Sequence, residues 1–305
     1  MRGWITDPRA PGGLRFASDL PEPQPAAGEL VLGVWAYDVN RGELALLEQR
    51  PEGWRPGQDV AGVVARAAAD GSGPAAGARV VGVVDGAGWS ERVAVPTRWA
   101  ALLPEDVPFD QAAALPVAGL TALRALRLGG DLLGRRVLVT GTTGGVGQFA
   151  VQLAAAAGAH VTAQVTGPDR AGVARSLGAR AVTDDLEQDG LGPFDLVLDG
   201  VGGRVLTQAV HLLAPGATAV TYGTLGGKAE LGLSDFANAP EAKVVGHFFA
   251  VPEATRGADL AVLANLVADG RVRPLLGDIR SWEHTPEVLA ALRERRIRGK
   301  AVLTR

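Results

Sequence analysis

The sequence predicts an α/β chain in two parts, a doubly wound parallel sheet joined to an irregular β domain. Three observations predict it. The chain is 305 residues long, more than one simple core needs and enough for two domains. Its texture changes near Pro116, from short apolar runs cut by Gly and Pro to regular alternation of strand and helix patterns. Within the second texture, a buried strand runs straight through a glycine-rich turn into a helix.

In the first part, Glu29–Ala36, Val60–Ala65 and Arg79–Val84 are short, rich in β-branched residues and bounded by turn residues, so each predicts a strand. Ala67-Ala68-Ala69 leads into Asp70-Gly71-Ser72-Gly73-Pro74 and predicts the approach to a turn. In the second part, the pattern predicts a helix over Ala118–Leu128 and a strand over Val137–Thr140. Helix Val146–Ala157, strand His160–Val165, helix Asp169–Leu177 and strand Ala181-Val182 follow. Strand Leu196–Asp199, helix Arg204–Leu213 and strand Thr218–Tyr222 complete the alternation. The strands are continuously apolar, which suits a parallel sheet covered on both faces. After Val244 the pattern is mixed, with helices over Ala258–Asp269 and Thr285–Arg296 and a last strand at Ala301–Leu303.

Composition narrows the function. Apolar residues make up 47% and charged residues 21%, the balance of a soluble globular protein. A net charge of −3 gives no basic field for nucleic acid or an anionic membrane. There is no cysteine, which excludes disulfides and thiolate metal sites. No apolar stretch is long enough to span a bilayer and the N-terminus lacks a signal-peptide core, so a cytoplasmic setting is expected. The four histidines, His160, His211, His247 and His284, show no metal spacing.

The chemistry-bearing motif is Val137-Leu138-Val139-Thr140-Gly141-Thr142-Thr143-Gly144-Gly145-Val146-Gly147. Glycines let backbone N–H groups approach a pyrophosphate, and the helix N-terminus adds a favourable dipole. Thr143, Gly144, Gly145 and Val146 are therefore candidates for cofactor binding. The second strand bears on which dinucleotide is bound. An acid at its tip would grip a ribose 2′-OH, but the tip reads Gln164-Val165-Thr166-Gly167-Pro168-Asp169-Arg170. Gln164 and Arg170 join the candidates. Arg170 either pairs with a 2′-phosphate, favouring NADP(H), or stands as a solvated helix-surface arginine.

With these pieces, Ala36-Tyr37-Asp38-Val39-Asn40, Pro56–Val64, Gly77–Val80, Ala114–Ala122, the glycine turn, Leu177-Gly178-Ala179, Phe194–Asp199 and Gly299–Leu303, the chain resembles the zinc-independent medium-chain dehydrogenases/reductases of the quinone oxidoreductase type. The resemblance implies a Rossmann doubly wound parallel sheet over 114–248 and a GroES-like β domain from 1–113 with 249–305. It implies a cleft for nicotinamide and substrate between the two. Zinc-dependent relatives place a cysteine near Asp38 and a His–Glu pair where this chain has Gln58-Asp59, so no metal is expected. Asn40 and Thr121, the catalytic candidates, are implied to lie beside the nicotinamide ribose and ring. Otherwise Asn40 caps a turn and Thr121 is an ordinary helix residue. Tyr222 and Gly223 are implied to follow the strand that contacts the nicotinamide. Phe248 and Phe249 stand on a segment that crosses the cleft, as an apolar wall or as core.

The implied reaction is hydride transfer from NADP(H) to a quinone or an activated C=C bond. Tyr37, Tyr222 and Glu43 are proton-donor candidates by position, with a structural role favoured for Glu43. Asp185 stands where NADPH-binding relatives carry a tyrosine, which weighs against NADP(H). The alternatives are an enoyl reductase or cyclase dedicated to one biosynthetic intermediate, and a non-catalytic dinucleotide-binding protein. The expected partners are a small-molecule substrate, neither nucleic acid nor membrane, and further copies of the chain in a homodimer or homotetramer.

Overall fold

The structure is a computed structural model and describes residues 1–249 and 254–305. The first half of the chain runs β1 (Gly3–Thr6), β2 (Leu14–Ala17), β3 (Glu29–Asp38), α1 (Arg41–Gln49), β4 (Asp59–Arg66), β5 (Arg79–Val83), β6 (Arg92–Pro96), β7 (Ala100–Leu102), α2 (Phe109–Ala113) and α3 (Pro116–Arg127). It continues through β8 (Arg136–Val139), α4 (Gly147–Ala156), β9 (His160–Gln164), α5 (Asp169–Ser176), β10 (Ala181–Thr183), β11 (Phe194–Asp199), α6 (Gly203–Val210), β12 (Leu213–Thr221) and β13 (Lys243–Gly246). The last elements are α7 (Arg256–Ala268), β14 (Leu276–Ser281), α8 (Thr285–Arg293) and β15 (Lys300–Thr304).

The chain divides into two compact units, Met1–Leu120 with Pro252–Arg305, and Thr121–Val251, so the division falls within α3. The second unit holds a six-stranded sheet in the order β10-β9-β8-β11-β12-β13, parallel throughout. Its order reverses between β8 and β11, the point at which ligands bind in open parallel sheets. Leu138, Phe194, Val197, Leu206 and Val210 pack its core. This is a Rossmann sheet.

The first unit is a GroES-like β domain. It holds a seven-stranded sheet on the path β14-β15-β3-β4-β5-β7, with β6 pairing β3, and β1 pairs separately with β2. Only β14 and β15 run parallel there. The core gathers Leu30, Leu32, Tyr37, Val60, Trp89 and Leu303. Register places the functional residues. Val302 faces Asp38 across β15 and β3, while Asp38 faces Asp59 across β3 and β4.

Several elements depart from the sequence reading, among them the short β1, β2, β6, β7 and α2, for which it has no counterpart, and α8, which ends at Arg293 rather than Arg296. The helix expected over Arg204–Leu213 stops at Val210, because Leu213 turns inward to pair with Phe194 and opens β12. Helix α1 lies where the pattern gave no element, and its apolar side is weak. Strand β13 is a sixth parallel strand of four residues, and β14 is mostly exposed, so neither shows an apolar run.

Candidate functional site

In the Rossmann unit the site is built at the switch point. Fully buried Asp199, at the end of β11, accepts hydrogen bonds from Thr140 Oγ1 (2.7 Å) and Thr221 Oγ1 (2.9 Å). It also accepts from the backbone N–H groups of Gly202 (2.9 Å) and Val201 (3.2 Å). Thr140 Oγ1 in turn accepts from Gly200 N at 3.2 Å. One carboxylate thus ties the C-terminal ends of β8, β11 and β12, and its charge is met by four donors, as a buried anion requires.

The glycine turn follows β8. Gly144 N donates to Gly141 O at 3.0 Å, and a Cβ on Gly147 would stand 2.3 Å from that same carbonyl. Helix α4 can therefore start this close to the strand only with glycine at 147. Thr142 Oγ1 donates to the carbonyls of Gln164 (2.9 Å) and Val139 (3.0 Å), locking the turn to the tip of β9. Gln164 is buried, with Gly141 N donating to its Oε1 at 3.5 Å and its Nε2 donating to Val165 O at 3.2 Å. Its side chain braces the turn. Thr143 is buried, and Arg170 Nη1 donates to Thr143 Oγ1 at 3.4 Å, so the first turn of α5 is brought to the glycine turn. Gly144, Gly145 and Val146 lie between these two anchors.

Asp185 is exposed, and its Oδ1 accepts from Glu187 N at 2.8 Å, which folds the carboxylate onto its own chain. Tyr222 lies with its ring against Gly200, and a Cβ on Gly223 would stand 2.0 Å from Gly200 O. The Tyr222 hydroxyl is buried with no hydrogen-bond partner among the described residues. Burial first, then the Asp199 carboxylate, pushes its pKa above the ordinary value, so it keeps its proton. Phe248 is 75% exposed, which rules it out as core, and Phe249 is half-buried. The rest of that segment, from Ala250, lies outside the described residues.

The turn fits a dinucleotide. Its backbone is held open by side chains behind it, it stands at a helix N-terminus, and an orphaned hydroxyl lies on the strand end nearby.

In the β domain, Asn40 follows β3 and is 8% exposed. Its backbone is fixed by Glu43, whose Oε2 accepts from Asn40 N at 2.7 Å while Glu43 N donates to Asn40 O at 3.0 Å. Asn40 therefore does cap the turn into α1. Its side chain has a second task. Lys300 Nζ donates to Asn40 Oδ1 at 2.6 Å, and Asn40 Nδ2 donates to Asp59 Oδ2 at 2.9 Å. Lys300 also pairs with Asp38 and lies 4.0 Å from Asp59. Asp59 Oδ1 accepts from Val117 N (3.0 Å) at the start of α3, and Glu43 Oε1 accepts from Gln58 N (3.0 Å). Thr121 stands one turn beyond Val117 and is 5% exposed.

Three acids and one ammonium are thus enclosed together, all 3% exposed or less. Burial, reinforced by Asp59, pushes Asp38 up to about 8 against the pull of Lys300. Burial likewise raises Glu43 and Asp59. For Lys300, burial opposes the charge but Asp38 and Asp59 outweigh it, so the ammonium is held. Tyr37 is spent elsewhere, stacked on Trp89 and bonded to Thr285 Oγ1 at 2.7 Å in the β core.

The sequence reading missed Lys300 and Asp38 as partners of Asn40, and Asp199 as the tie of the switch point. A signal existed for Lys300. The chain has only three lysines among its 30 basic residues, and Lys300 opens an apolar strand. Among the described residues no group of His, Asp or Glu is arranged to hold a metal, and no helix is long and apolar enough to cross a membrane.

This pairing of a GroES-like β domain with a Rossmann sheet, and a glycine turn at the switch point, defines a two-unit dehydrogenase-type fold. Residues 145–265 match the family model described as zinc-binding dehydrogenase. The chain is 34% identical over 239 residues to a mitochondrial NAD(P)H oxidoreductase of Homo sapiens, covering 70% of the chain and 60% of that protein. It is 34% identical over 325 residues to a spectinabilin polyketide synthase system protein of Streptomyces orinoci, covering 97% of the chain and 14% of that protein. The chain thus spans less than two thirds of the length of these curated relatives. A quinone oxidoreductase from Coxiella burnetii superposes with a TM-score of 0.85 at 25% identity, covering 100% of the chain and 99% of that structure. In sequence and fold the chain is thus similar to quinone oxidoreductase-like medium-chain dehydrogenases/reductases.

Proposed function

We propose that this protein is an NADP(H)-dependent, zinc-free oxidoreductase that delivers hydride to a quinone or to the β carbon of an enone or enoyl substrate. The observation that carries the reading is the strand–turn–helix at Gly141–Gly147, set at the reversal of the sheet. The turn would take the pyrophosphate, with Arg170 beside Thr143 as the 2′-phosphate partner. Asn40 and Thr121 would contact the nicotinamide ribose and ring, with Tyr222 and Gly223 on the other strand end. When bound, the dinucleotide supplies the hydride. The chain's own residues orient, exclude water and hold a proton, which Tyr222 does on a hydroxyl with no partner among the described residues.

The zinc-free reading has a physical support in the donor set. The Asp38 and Asp59 carboxylates already serve an internal cation, Lys300, so a metal there would have to displace a buried ion pair. The NADP(H) preference is supported by the missing acid at the β9 tip and by the Asp185 carboxylate being engaged with Glu187 N. A homodimer or homotetramer and a cytoplasmic setting belong to the same proposal, although the human relative is named as mitochondrial.

A second reading is favoured by the match to a polyketide synthase system protein over 97% of the chain, namely an enoyl reductase for one biosynthetic intermediate. Purified protein with NADPH, followed at the nicotinamide absorbance with naphthoquinone, crotonaldehyde, cyclohexenone and a crotonyl thioester, separates the two. Turnover of the quinone or the enone supports the first, and turnover of the thioester alone the second. Failure to bind NADPH or NADH at all would refute both.

A further inference from the structure

We propose that Lys300 is a positioning residue, which together with Asp59 holds the Asn40 carboxamide in one of its two flipped orientations for the reacting nicotinamide. The inference rests on the placement of Asn40 proposed above and goes beyond it, because Lys300 itself needs no contact with cofactor or substrate.

The geometry is over-determined. An asparagine side chain presents two N–H donors on one side and two lone pairs on the other, and the two ends are nearly isosteric. At Asn40 the ends are distinguished by charge. The ammonium of Lys300 can only donate and stands 2.6 Å from Oδ1. The Asp59 carboxylate stands 2.9 Å from Nδ2, and its other oxygen accepts from Val117 N, which favours its ionised, accepting form. Flipping the amide would set NH2 against an ammonium and oxygen against a carboxylate. With one lone pair and one N–H so engaged, one of each remains for a ligand, in a fixed sense. The backbone is held separately by Glu43, so neither the position nor the sense of the group is left to its own torsions.

The source of this arrangement is sheet register. Residues on β15 and β3 pair so that Val302 meets Asp38, which carries Lys300 to the level of Asn40, 260 positions away in the chain. The choice of lysine is itself informative in a chain whose basic residues are nearly all arginine. A compact ammonium fits against both the Asp38 carboxylate and a carboxamide oxygen, where a planar guanidinium would demand a wider, forked site.

The test is a double-mutant cycle between Asn40→Ala and Lys300→Met, read as kcat/KM for NADPH with the best acceptor from the panel. It is paired with 15N NMR of the Asn40 carboxamide in the cofactor-free protein. Each single variant should lose about 30- to 100-fold, and the double about the same as either alone, because residues acting as one unit are not additive. Exchange of the Asn40 amide protons with solvent should rise at least tenfold in Lys300→Met. Lys300→Arg should recover part of the activity. Asp59→Asn, which reaches the same carboxamide from its other end, serves in the cycle if Lys300→Met does not fold. Independent, multiplying losses, or unchanged amide exchange, would overturn the positioning role while leaving Asn40 in the site. An Asn40→Ala variant as active as the parent would overturn the placement of Asn40 and the inference with it.

Discussion

Replacing Lys300 by methionine removes the one cation from a buried group of three acids while keeping the length and volume of the side chain. The cost follows from what the acids must then do. With no counter-charge, a further carboxylate, Asp59 foremost, must be neutral in the folded state. In the unfolded chain the same acid ionises with a pKa near 3.8. Neutralising it at pH 7 therefore costs about 1.36 kcal/mol for each of roughly three pH units, or about 4 kcal/mol, and at pH 5 only about 2 kcal/mol. This agrees with the ~3–5 kcal/mol lost when one partner of a buried pair is removed. All six tryptophans lie in the β unit, so intrinsic fluorescence reports the unfolding of that unit alone. For a unit of this size the deficit at pH 7 should appear as a fall in Tm of roughly 8–16 °C. It should shrink by about half at pH 5. A loss below about 1 kcal/mol at pH 7, or a deficit that does not change between the two pH values, would refute the account of the cluster.

Three further outcomes are expected. Gly147→Ala places a Cβ 2.3 Å from Gly141 O, so NADPH affinity should fall at least about 50-fold by energy transfer from tryptophan to nicotinamide, with β-unit stability unchanged. Arg170→Ala should raise the NADPH Kd by about tenfold and leave the NADH Kd within about twofold, as calorimetry would show; equal losses would remove the 2′-phosphate role. Asp38 is raised by burial and by Asp59 from an ordinary 3.8 to about 8, so the folded state holds a proton that the unfolded state releases, and stability falls as pH rises between those values. Asp38→Asn, which mimics the protonated acid, should reduce that slope by about one proton in urea titrations from pH 5 to 8, the remainder belonging to Glu43 and Asp59.

What was legible in the sequence was local. The run from β8 through the turn into α4 is written in consecutive residues, each with an identifiable reason to be there, and the structure places the strand, turn and helix accordingly. The alternation of strand and helix gave the parallel sheet for the same reason. Helix α1 was not legible, because its start is signalled by a capping interaction between Asn40 and Glu43 inside a segment with little apolar periodicity. Strand β14 was hidden by exposure, since an edge strand carrying Asp278 and Arg280 shows no core face. The site divided along the same line. Thr143 and Arg170 were found because both lie near the turn in sequence. Lys300 was read only as part of a terminal motif, because its role depends on two strands separated by almost the whole chain.

The charge pattern of the β unit makes sense only when register and chemistry are taken together. Pairing β3 with β4 sets Asp38 directly opposite Asp59, which in an ordinary sheet is destabilising and has no reason to persist. The fold keeps it and adds Lys300 from β15 on the other side of β3. Two carboxylates sharing one ammonium leave a surplus of negative charge in an apolar interior, which raises both coupled acids, Asp38 to about 8, and favours a proton retained by the pair. The result is an ammonium that stays charged, a carboxylate at Asp59 held by Val117 and Asn40, and a carboxamide between them that cannot turn over. An apolar trio of similar volume would pack there at no electrostatic cost, and buried ion pairs are in general poor sources of stability. The arrangement is therefore better explained by the fixed polarity it gives Asn40 than by any stability it gives the fold.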